Sequence, residues 1–262
     1  MTARLLGWCA ALVLLAGCVA VPQPGDPREI VTASDQTDAS KRAGVRLELA
    51  AAYFARGQGT TALDEVKLAI AAKPDMAEAY NLRGLIYASL GEVPLAEESF
   101  QRALQLNPRD ADTMHNYGFF LCQQRRYPEA ERQFTSALDQ PQYRDPPRTL
   151  LAQGICQARS GDFARAERTL SRSYELDPAN PATAFNLSEV LMRRGELERA
   201  RFYIGRVNAV PELSNAQTLW LAARIERRLG NLTGVQAFGR QLRERFPQSP
   251  EALNYERGRF DD

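Results

Sequence analysis

The sequence is poor in the residue types on which most catalytic and charged binding sites depend. One of its 262 residues is a histidine, His115, and only three are lysines. A metal site or a catalytic pair built on histidine therefore has almost no material. The sequence also shows no glycine-rich phosphate loop and no credible nucleophile–base pair. It therefore predicts no enzyme, no catalytic residue, no metal, no cofactor and no small-molecule substrate.

Neither sign of charge is in excess. The chain has 33 basic and 32 acidic residues, which give a formal net charge of +1. Proteins that bind nucleic acids usually have a marked basic excess on the binding domain. The sequence therefore predicts no nucleic-acid partner and favours a protein as the partner.

The first seventeen residues have the pattern of a secretory signal peptide. Arg4 supplies a positive charge, and residues 5–15 follow as an apolar run that is too short to remain as a membrane-spanning helix. The run ends in Leu15-Ala16-Gly17-Cys18, which resembles a lipobox, the cleavage site of bacterial lipoprotein signal peptides. The resemblance implies that residues 1–17 are removed and that Cys18 carries a covalent lipid. The alternative is an ordinary signal peptide with a cysteine near its end by chance.

Residues 18–42 follow as the lipidated cysteine and a predicted flexible tether. Proline, glycine, serine, threonine and aspartate are frequent up to about residue 40, and such residues bury little and disrupt helices. Val19 stands directly after Cys18, where an aspartate would favour inner-membrane retention by analogy with enterobacterial lipoproteins. The expected location is therefore the outer membrane, with the protein held by its lipid anchor and facing the periplasm.

The rest of the chain, residues 43–262, repeats with a period near 34 residues. Prolines mark the period, at Pro74, Pro108, Pro141, Pro178, Pro211 and Pro247. Repeats placed by these prolines start near residues 43, 77, 111, 147, 181 and 216. Such a period is typical of stacked helical hairpins.

Small and large residues recur at fixed positions of the repeat and match the tetratricopeptide signature. The second repeat has Tyr80, Gly84, Tyr87, Ala96, Phe100, Ala103 and Pro108 at positions 4, 8, 11, 20, 24, 27 and 32. Small residues let two helices approach closely, and large ones fill the space between them. Glycine ends the first helix at position 15 in every repeat except the third, which has Arg125. The sixth repeat is looser, with Glu226 at position 11 and Gly239 at position 24.

These patterns predict an all-α fold, a right-handed superhelix of six tetratricopeptide helix hairpins with a C-terminal capping helix over residues 249–259. One hairpin cannot bury its apolar face, so the hairpins must stack. The turn near residues 143–147 is longer by two residues and is either a slight hinge or a tolerated insertion. The alternative fold is a generic helical protein with chance spacing, which six units in register disfavour.

Two cysteines, Cys122 and Cys156, remain in the predicted mature chain besides Cys18. They lie at position 12 of the third repeat and position 10 of the fourth, on first helices that are neighbours in the predicted stack. Because the periplasm is oxidising, the sequence predicts a disulfide between them. Two free, buried thiols are the alternative.

The partner-binding groove is predicted on the concave side, which the first helix of each repeat lines in this class of superhelix. Positions 2, 5, 9, 12 and 13 point into that groove. The first four repeats supply Leu47, Phe54, Asn81, Leu85, Ser89, His115, Phe119, Gln123, Arg148, Leu151, Ile155 and Arg159. This partly apolar set suits a helix or an extended peptide as the ligand. The alternative is that the apolar members pack on each other or on the tether.

A known family combines these features. The stretch Asn116-Tyr117-Gly118-Phe119-Phe120-Leu121-Cys122, with Gly154-Ile155-Cys156 one repeat later, resembles the PilF/PilW family of type IV pilus biogenesis lipoproteins, the secretin pilotins. The lipobox, the tether and the six repeats extend the resemblance over the whole mature chain. It implies a non-enzymatic scaffold that binds the pilus secretin and promotes its outer-membrane localisation and multimerisation.

Two other readings compete with the pilotin. One is a different periplasmic tetratricopeptide-repeat lipoprotein, an adaptor for enzymes of cell-wall or outer-membrane assembly. The other is a repeat domain with a hidden hydrolase activity, which the lack of a nucleophile–base pair disfavours.

Overall fold

The computed structural model describes residues 38–260, and in this part of the chain every regular element is an α-helix. The helices are α1 Asp38–Ala55, α2 Gly59–Ala72, α3 Ala77–Ser89, α4 Val93–Leu106, α5 Ala111–Gln123, α6 Tyr127–Leu138, α7 Pro146–Arg159, α8 Phe163–Leu176, α9 Pro181–Arg193, α10 Leu197–Asn208, α11 Ala216–Arg228, α12 Leu232–Arg245 and α13 Pro250–Glu256. Consecutive helices pair from α1–α2 to α11–α12, and α13 packs against both helices of the last pair. Residues 38–260 therefore form an all-α superhelix of six hairpins with a C-terminal capping helix.

The structure changes one predicted boundary. Residues 38–42, predicted to belong to the tether, form the first five residues of α1. None of them is proline or glycine, and Asp38 lies in the first turn, where a negative charge interacts favourably with the helix dipole. The helix that buries Ala43 and Ala50 can therefore continue towards its N-terminus. The predicted signal peptide, Cys18 and the rest of the tether lie outside the described residues.

Inside a hairpin, the small residue at position 8 faces the large one at position 24. A Cβ placed on Gly84 would lie 2.8 Å from the ring of Phe100, and a Cβ on Gly118 would lie 2.9 Å from the ring of Phe134. Both rings are fully buried. Glycine is required at position 8 of these hairpins because the aromatic ring already fills the space of a side chain.

Caps and turns fix the ends of the helices. Asn215 begins α11 with a capping box, in which its side chain accepts from the backbone N–H of Thr218 while the Thr218 hydroxyl accepts from the backbone N–H of Asn215. At position 15 the turn residue has a positive φ, and this residue is Gly57, Gly91, Gly161, Gly195 and Gly230 in five repeats. Arg125 adopts the same conformation in the third repeat, with φ 59°. A residue with a Cβ is disfavoured there by about 1 kcal/mol or more.

The sixth hairpin is completed by contacts of residues that depart from the tetratricopeptide signature. Glu226 is buried, and its carboxylate accepts two hydrogen bonds of 2.8 Å from the guanidinium of Arg201. These hydrogen bonds hold the pKa of Glu226 below its ordinary value. At position 24, a Cβ on Gly239 would overlap the ring of Tyr255 from α13. The capping helix therefore supplies the bulk that a side chain at position 24 supplies in the earlier hairpins.

The longer turn between the third and fourth hairpins is packed. Tyr143 lies against a small cluster of Ala111, Met114 and Ala137, and its hydroxyl is within hydrogen-bond distance of Oγ1 of Thr149. This anchoring favours a tolerated insertion over a hinge.

The contacts between hairpins determine the direction in which the stack curves. The first helices of consecutive hairpins contact one another, from α1 with α3 to α9 with α11. In the part of the chain that the structure describes, no two second helices do so. The first helices therefore lie on the inner side of the curve. Over residues 38–260, none of the helices is long and apolar enough to cross a membrane.

Candidate functional site

The candidate site is the inner groove, the surface formed by the first helices α1, α3, α5, α7, α9 and α11. Equivalent positions recur in each repeat, so residues at one position form a row along the groove. The rows of interest here are the polar residues at positions 2, 5 and 6, the apolar residues at position 9, and the residues at position 13 near the end of each first helix.

Polar side chains connect three hairpins along the groove. Nδ2 of Asn116 donates to Oδ1 of Asn81 at 3.1 Å, and Nη2 of Arg148 donates to Oδ1 of Asn116 at 3.3 Å. The guanidinium of Arg148 also lies 3.7 Å from the carboxylate of Asp112. Two predicted groove residues, Asn81 and Arg148, are thus brought together by a third that the prediction missed. Amide side chains present a donor and an acceptor together, which is what the backbone of a bound peptide needs.

Apolar side chains at position 9 lie along the same helices. Leu85 and Ile155 are half-buried, and the side chain of Phe119 remains 40% exposed. An exposed aromatic ring between partly buried aliphatic residues can anchor an apolar side chain of a partner, and such anchors dominate the binding energy of interfaces.

An open cavity of about 390 Å³ lies between the fourth and fifth hairpins. Its lining is Ile155, Ala158, Arg159, Phe163, Leu170, Asn186, Glu189, Val190 and Arg193. Two predicted groove residues, Ile155 and Arg159, contribute to it. The cavity combines an apolar floor with charged groups, so it can hold an apolar side chain of a partner and orient the polar groups next to it.

The prediction that His115 faces the groove is wrong. His115 is 5% exposed, its Nδ1 lies 2.8 Å from Oγ1 of Thr149, and its ring packs edge-on against Phe134. Burial, and secondarily the positive charge of Arg148, lower the pKa of His115 to about 4. The residue is therefore neutral at neutral pH and packs between the third and fourth hairpins, where Thr149 of α7 covers it.

The other predicted groove residues divide by exposure. Ser89, Gln123, Arg148 and Arg159 are exposed. Leu47, Phe54 and Leu151 are half-buried and pack against the hydrophobic clusters of the stack. For these three, the contact with neighbouring helices is the main role that the structure shows.

The prediction ended with the fourth repeat, whereas the structure extends the groove into the fifth. Asn186, Glu189 and Arg193, at positions 6, 9 and 13, line the cavity with residues of the fourth hairpin. The same positions applied to the fifth repeat would have found Glu189 and Arg193. Asn116 and Asn186 both stand at position 6, which the repeat rule does not place in the groove.

A disulfide joins Cys122 of α5 to Cys156 of α7, with Cα atoms 5.8 Å apart. Both residues are buried in the cluster that contains Tyr117, Phe120 and Leu121. The bond therefore links two helices of the inner groove from the third and fourth hairpins.

Some carboxylates in the described part of the chain form ion pairs between hairpins. Glu97 of the second hairpin lies 2.7 Å from the guanidinium of Arg126, and Glu131 of the third pairs with Arg165 of the fourth. Among residues 38–260, no group of three histidine, cysteine, aspartate or glutamate side chains is placed to hold a metal ion. What this site offers is a surface for protein binding.

Comparison with known proteins gives relatives over the whole folded part. Models of the tetratricopeptide repeat match residues 77–110, 99–132, 121–181 and 157–210. The type IV pilus assembly protein PilF of Pseudomonas aeruginosa is 26% identical over 252 residues, which cover 94% of this chain and 97% of PilF. An uncharacterised protein of Haemophilus influenzae is 24% identical over 135 residues, 52% of this chain and 75% of that protein.

Solved structures give the same relationship. PilW, described as a widely conserved type IV pilus biogenesis factor, is 31% identical with a TM-score of 0.76, over 81% of this chain and 97% of PilW. The structure of Pseudomonas aeruginosa PilF has a TM-score of 0.72 at 24% identity, over 85% of this chain and all of that chain (100%). A tetratricopeptide repeat protein of Parabacteroides merdae, 17% identical with a TM-score of 0.60 over 82% of this chain and 83% of that one, shares the fold.

Proposed function

Because the chain belongs to the family of tetratricopeptide-repeat proteins of type IV pilus biogenesis that includes PilF and PilW, we propose that it is an outer-membrane lipoprotein scaffold that binds the pilus secretin. Its task is to localise the secretin at the outer membrane and to promote its multimerisation. The observation that supports this most is the extent of the likeness, which covers 97% of PilF and 97% of PilW.

The work of such a scaffold is binding and placement, with no chemical step. In this proposal the inner groove binds a segment of the secretin subunit: Asn81 and Asn116 pair with its backbone, and Phe119 packs against an apolar side chain. The lipid on Cys18 then holds the complex at the membrane. Several acyl chains on one cysteine anchor a protein stably, whereas one chain gives only marginal binding.

Replacement of the lipidated cysteine tests the placement. Cys18→Ala should leave the fold intact, because Cys18 lies outside residues 38–260 that form the helical stack. The protein should leave the outer membrane, and the secretin with it, as shown by membrane fractionation and immunoblotting. Unchanged outer-membrane secretin in the Cys18→Ala strain would contradict the proposal.

A charge placed in the groove tests the binding surface. Phe119→Glu should abolish secretin multimers and twitching motility while the protein remains folded. Phe202→Glu is the matched control, because Phe202 is also exposed (57%) but lies on α10, a second helix outside the groove. Equal effects of the two variants would rule out the groove. A deletion strain that still assembles multimers and twitches normally would rule out the pilus role itself.

A further inference from the structure

The first helix leaves open a face that is covered on every later first helix. Val45 and Leu49, at positions 3 and 7 of the first repeat, are 57% and 38% exposed. The later residues at position 3 are all buried: Ala79, Thr113, Thr149, Thr183 and Thr218. They are covered because each later first helix packs against the second helix of the preceding hairpin. Among the described residues no helix precedes α1, so this face has no such cover.

Three cations surround the exposed apolar residues. Lys41, Arg42 and Arg46 line one open depression of about 440 Å³ together with Val45 and Leu49. Arg46 is paired with Glu65, its Nη1 2.8 Å from the carboxylate. Within residues 38–260, neither Lys41 nor Arg42 has an ion-pair partner. The basal face, as these five residues are called below, is therefore both apolar and positively charged.

The composition of the basal face does not suit another hairpin as its cover. Arg46 stands at position 4, where the later repeats have Tyr80, Met114, Leu150, Ala184 and Leu219. A hairpin packed there would have to bury Arg46 and also desolvate Lys41 and Arg42, which is costly because these two cations have no acidic partner among the described residues. Lipid headgroups avoid this cost because they offer phosphate groups to the cations and an apolar layer beneath them. Cations interleaved with apolar residues on one helix face are typical of helices that lie on a membrane surface.

We propose that the basal face lies on the anionic lipid surface of the membrane. If Cys18 carries the lipid, as in the proposed function, the chain from residue 18 to residue 38 spans at most about 70 Å even when fully extended. The anchor therefore keeps the basal face within about 70 Å of the bilayer, so that it can reach the lipid surface. The first hairpin then rests on the membrane, and the stack extends away from it with the inner groove open to the periplasm.

Vesicle flotation of the chain from Val19 to Asp262 without acyl groups tests this proposal. The core clusters are formed by residues between Leu47 and Tyr255, so this chain retains its fold. It should float with vesicles that contain phosphatidylglycerol and should not float with phosphatidylcholine alone, and added salt should weaken the binding. Absence of binding to the anionic vesicles, or equal binding to both kinds, would overturn the proposal.

Substitutions on the basal face locate the contact. Each basic residue near an anionic surface contributes about fivefold to membrane partitioning, so Lys41→Gln with Arg42→Gln should lower the partition coefficient about 25-fold. Val45→Ser with Leu49→Ser should also lower it, without a change in charge.

The matched control is Arg168→Gln with Arg240→Gln, which removes two exposed cations from the second helices α8 and α12. If the control lowers the partition coefficient as much as the Lys41 and Arg42 variant does, the attraction is non-specific. That result would overturn the proposal that the basal face is the membrane contact. Circular dichroism verifies that each variant is folded. Because the assay contains neither a lipid anchor nor a secretin, its failure is distinct from failure of the proposed function.

Discussion

Gly239→Ala is expected to destabilise the wild-type protein. The same substitution is expected to stabilise the Tyr255→Ala variant, which lacks the ring. The reason is that the new Cβ would overlap the Tyr255 ring, which lies over Gly239 from the capping helix α13. In the wild type the ring has to leave its place. In the Tyr255→Ala background that space is open, and only the higher helix propensity of alanine remains.

The two magnitudes follow from the surroundings. Gly→Ala inside a helix is favourable by about 1 kcal/mol. Tyr255 is half-buried against the cluster of Leu219, Leu242 and Ala252. Loss of its contacts therefore costs about 2 kcal/mol, less than the 3–5 kcal/mol of a fully buried aromatic residue. The steric overlap cannot cost more than the loss of the Tyr255 contacts, because the ring can rotate away from Gly239 towards the solvent. Gly239→Ala should lower the free energy of unfolding by about 1 kcal/mol in the wild type and raise it by about 1 kcal/mol in Tyr255→Ala.

Urea unfolding is measured on the wild type, on Gly239→Ala, on Tyr255→Ala and on the double variant, by circular dichroism of the helix band. The four free energies of unfolding give the coupling between the two positions. Gly205→Ala is the matched control, since Gly205 also lies on a second helix but has no atom within 4 Å of the position of a Cβ. It should be stabilising in both backgrounds. If Gly239→Ala has the same sign with and without the tyrosine ring, the reasoning is refuted and another group fills position 24 of the sixth hairpin.

Three further changes should alter stability. Cys122→Ala with Cys156→Ala removes a cross-link across 34 residues and should lower the free energy of unfolding in urea by about 4 kcal/mol, from the lost constraint on the unfolded chain. Arg125→Gly should raise it by about 1 kcal/mol, because glycine adopts φ 59° without steric cost. Arg201→Gln should lower it by about 2 kcal/mol at neutral pH by leaving the buried carboxylate of Glu226 without its cation. This is less than for a fully buried pair because the Arg201 side chain is partly exposed.

Each of these changes has a result that would contradict it. Reduction of the wild type that leaves its unfolding curve unchanged would mean that the two cysteines are free. A destabilised Arg125→Gly would mean that the arginine side chain contributes more than the turn costs. For the ion pair, the test is pH: the folded pKa of Glu226 is lowered. Its stabilisation is therefore present above the unfolded value near 4.3 and is lost as pH falls through the folded pKa. Arg201→Gln should remove this dependence.

The repeat could be predicted from the sequence because it depends on local packing. Gly84 and Phe100 lie in one hairpin, 16 positions apart, and the same pair recurs as Gly118 and Phe134. A glycine that accommodates an aromatic ring 16 positions later is a pattern that can be read from the sequence. Its recurrence predicts the stacked helical hairpins. The start of α1 is not predictable in this way, because residues 38–42 share the polar composition of the segment before them and yet form helix.

The groove was harder to predict because exposure depends on the neighbouring hairpin. His115 stands at a position that faces the groove by the repeat rule, yet Thr149 from the next hairpin covers it. Asn116 lies one position further and enters the groove because it bonds to Asn81 and Arg148. The pairing of Gly239 with Tyr255 depends on how α13 docks, and no periodic pattern encodes that.

The disulfide between the third and fourth hairpins also affects how the protein can bend. A partner that widens the inner groove must move the first helices of consecutive hairpins apart. Between α5 and α7 the bond keeps the Cα atoms of Cys122 and Cys156 5.8 Å apart, so this junction is inextensible at that point. Widening of the groove is therefore expected mainly at the other junctions, where the first helices are in non-covalent contact. The superhelix is then expected to adjust to a ligand mainly through the hairpins on either side of the cross-linked third and fourth hairpins.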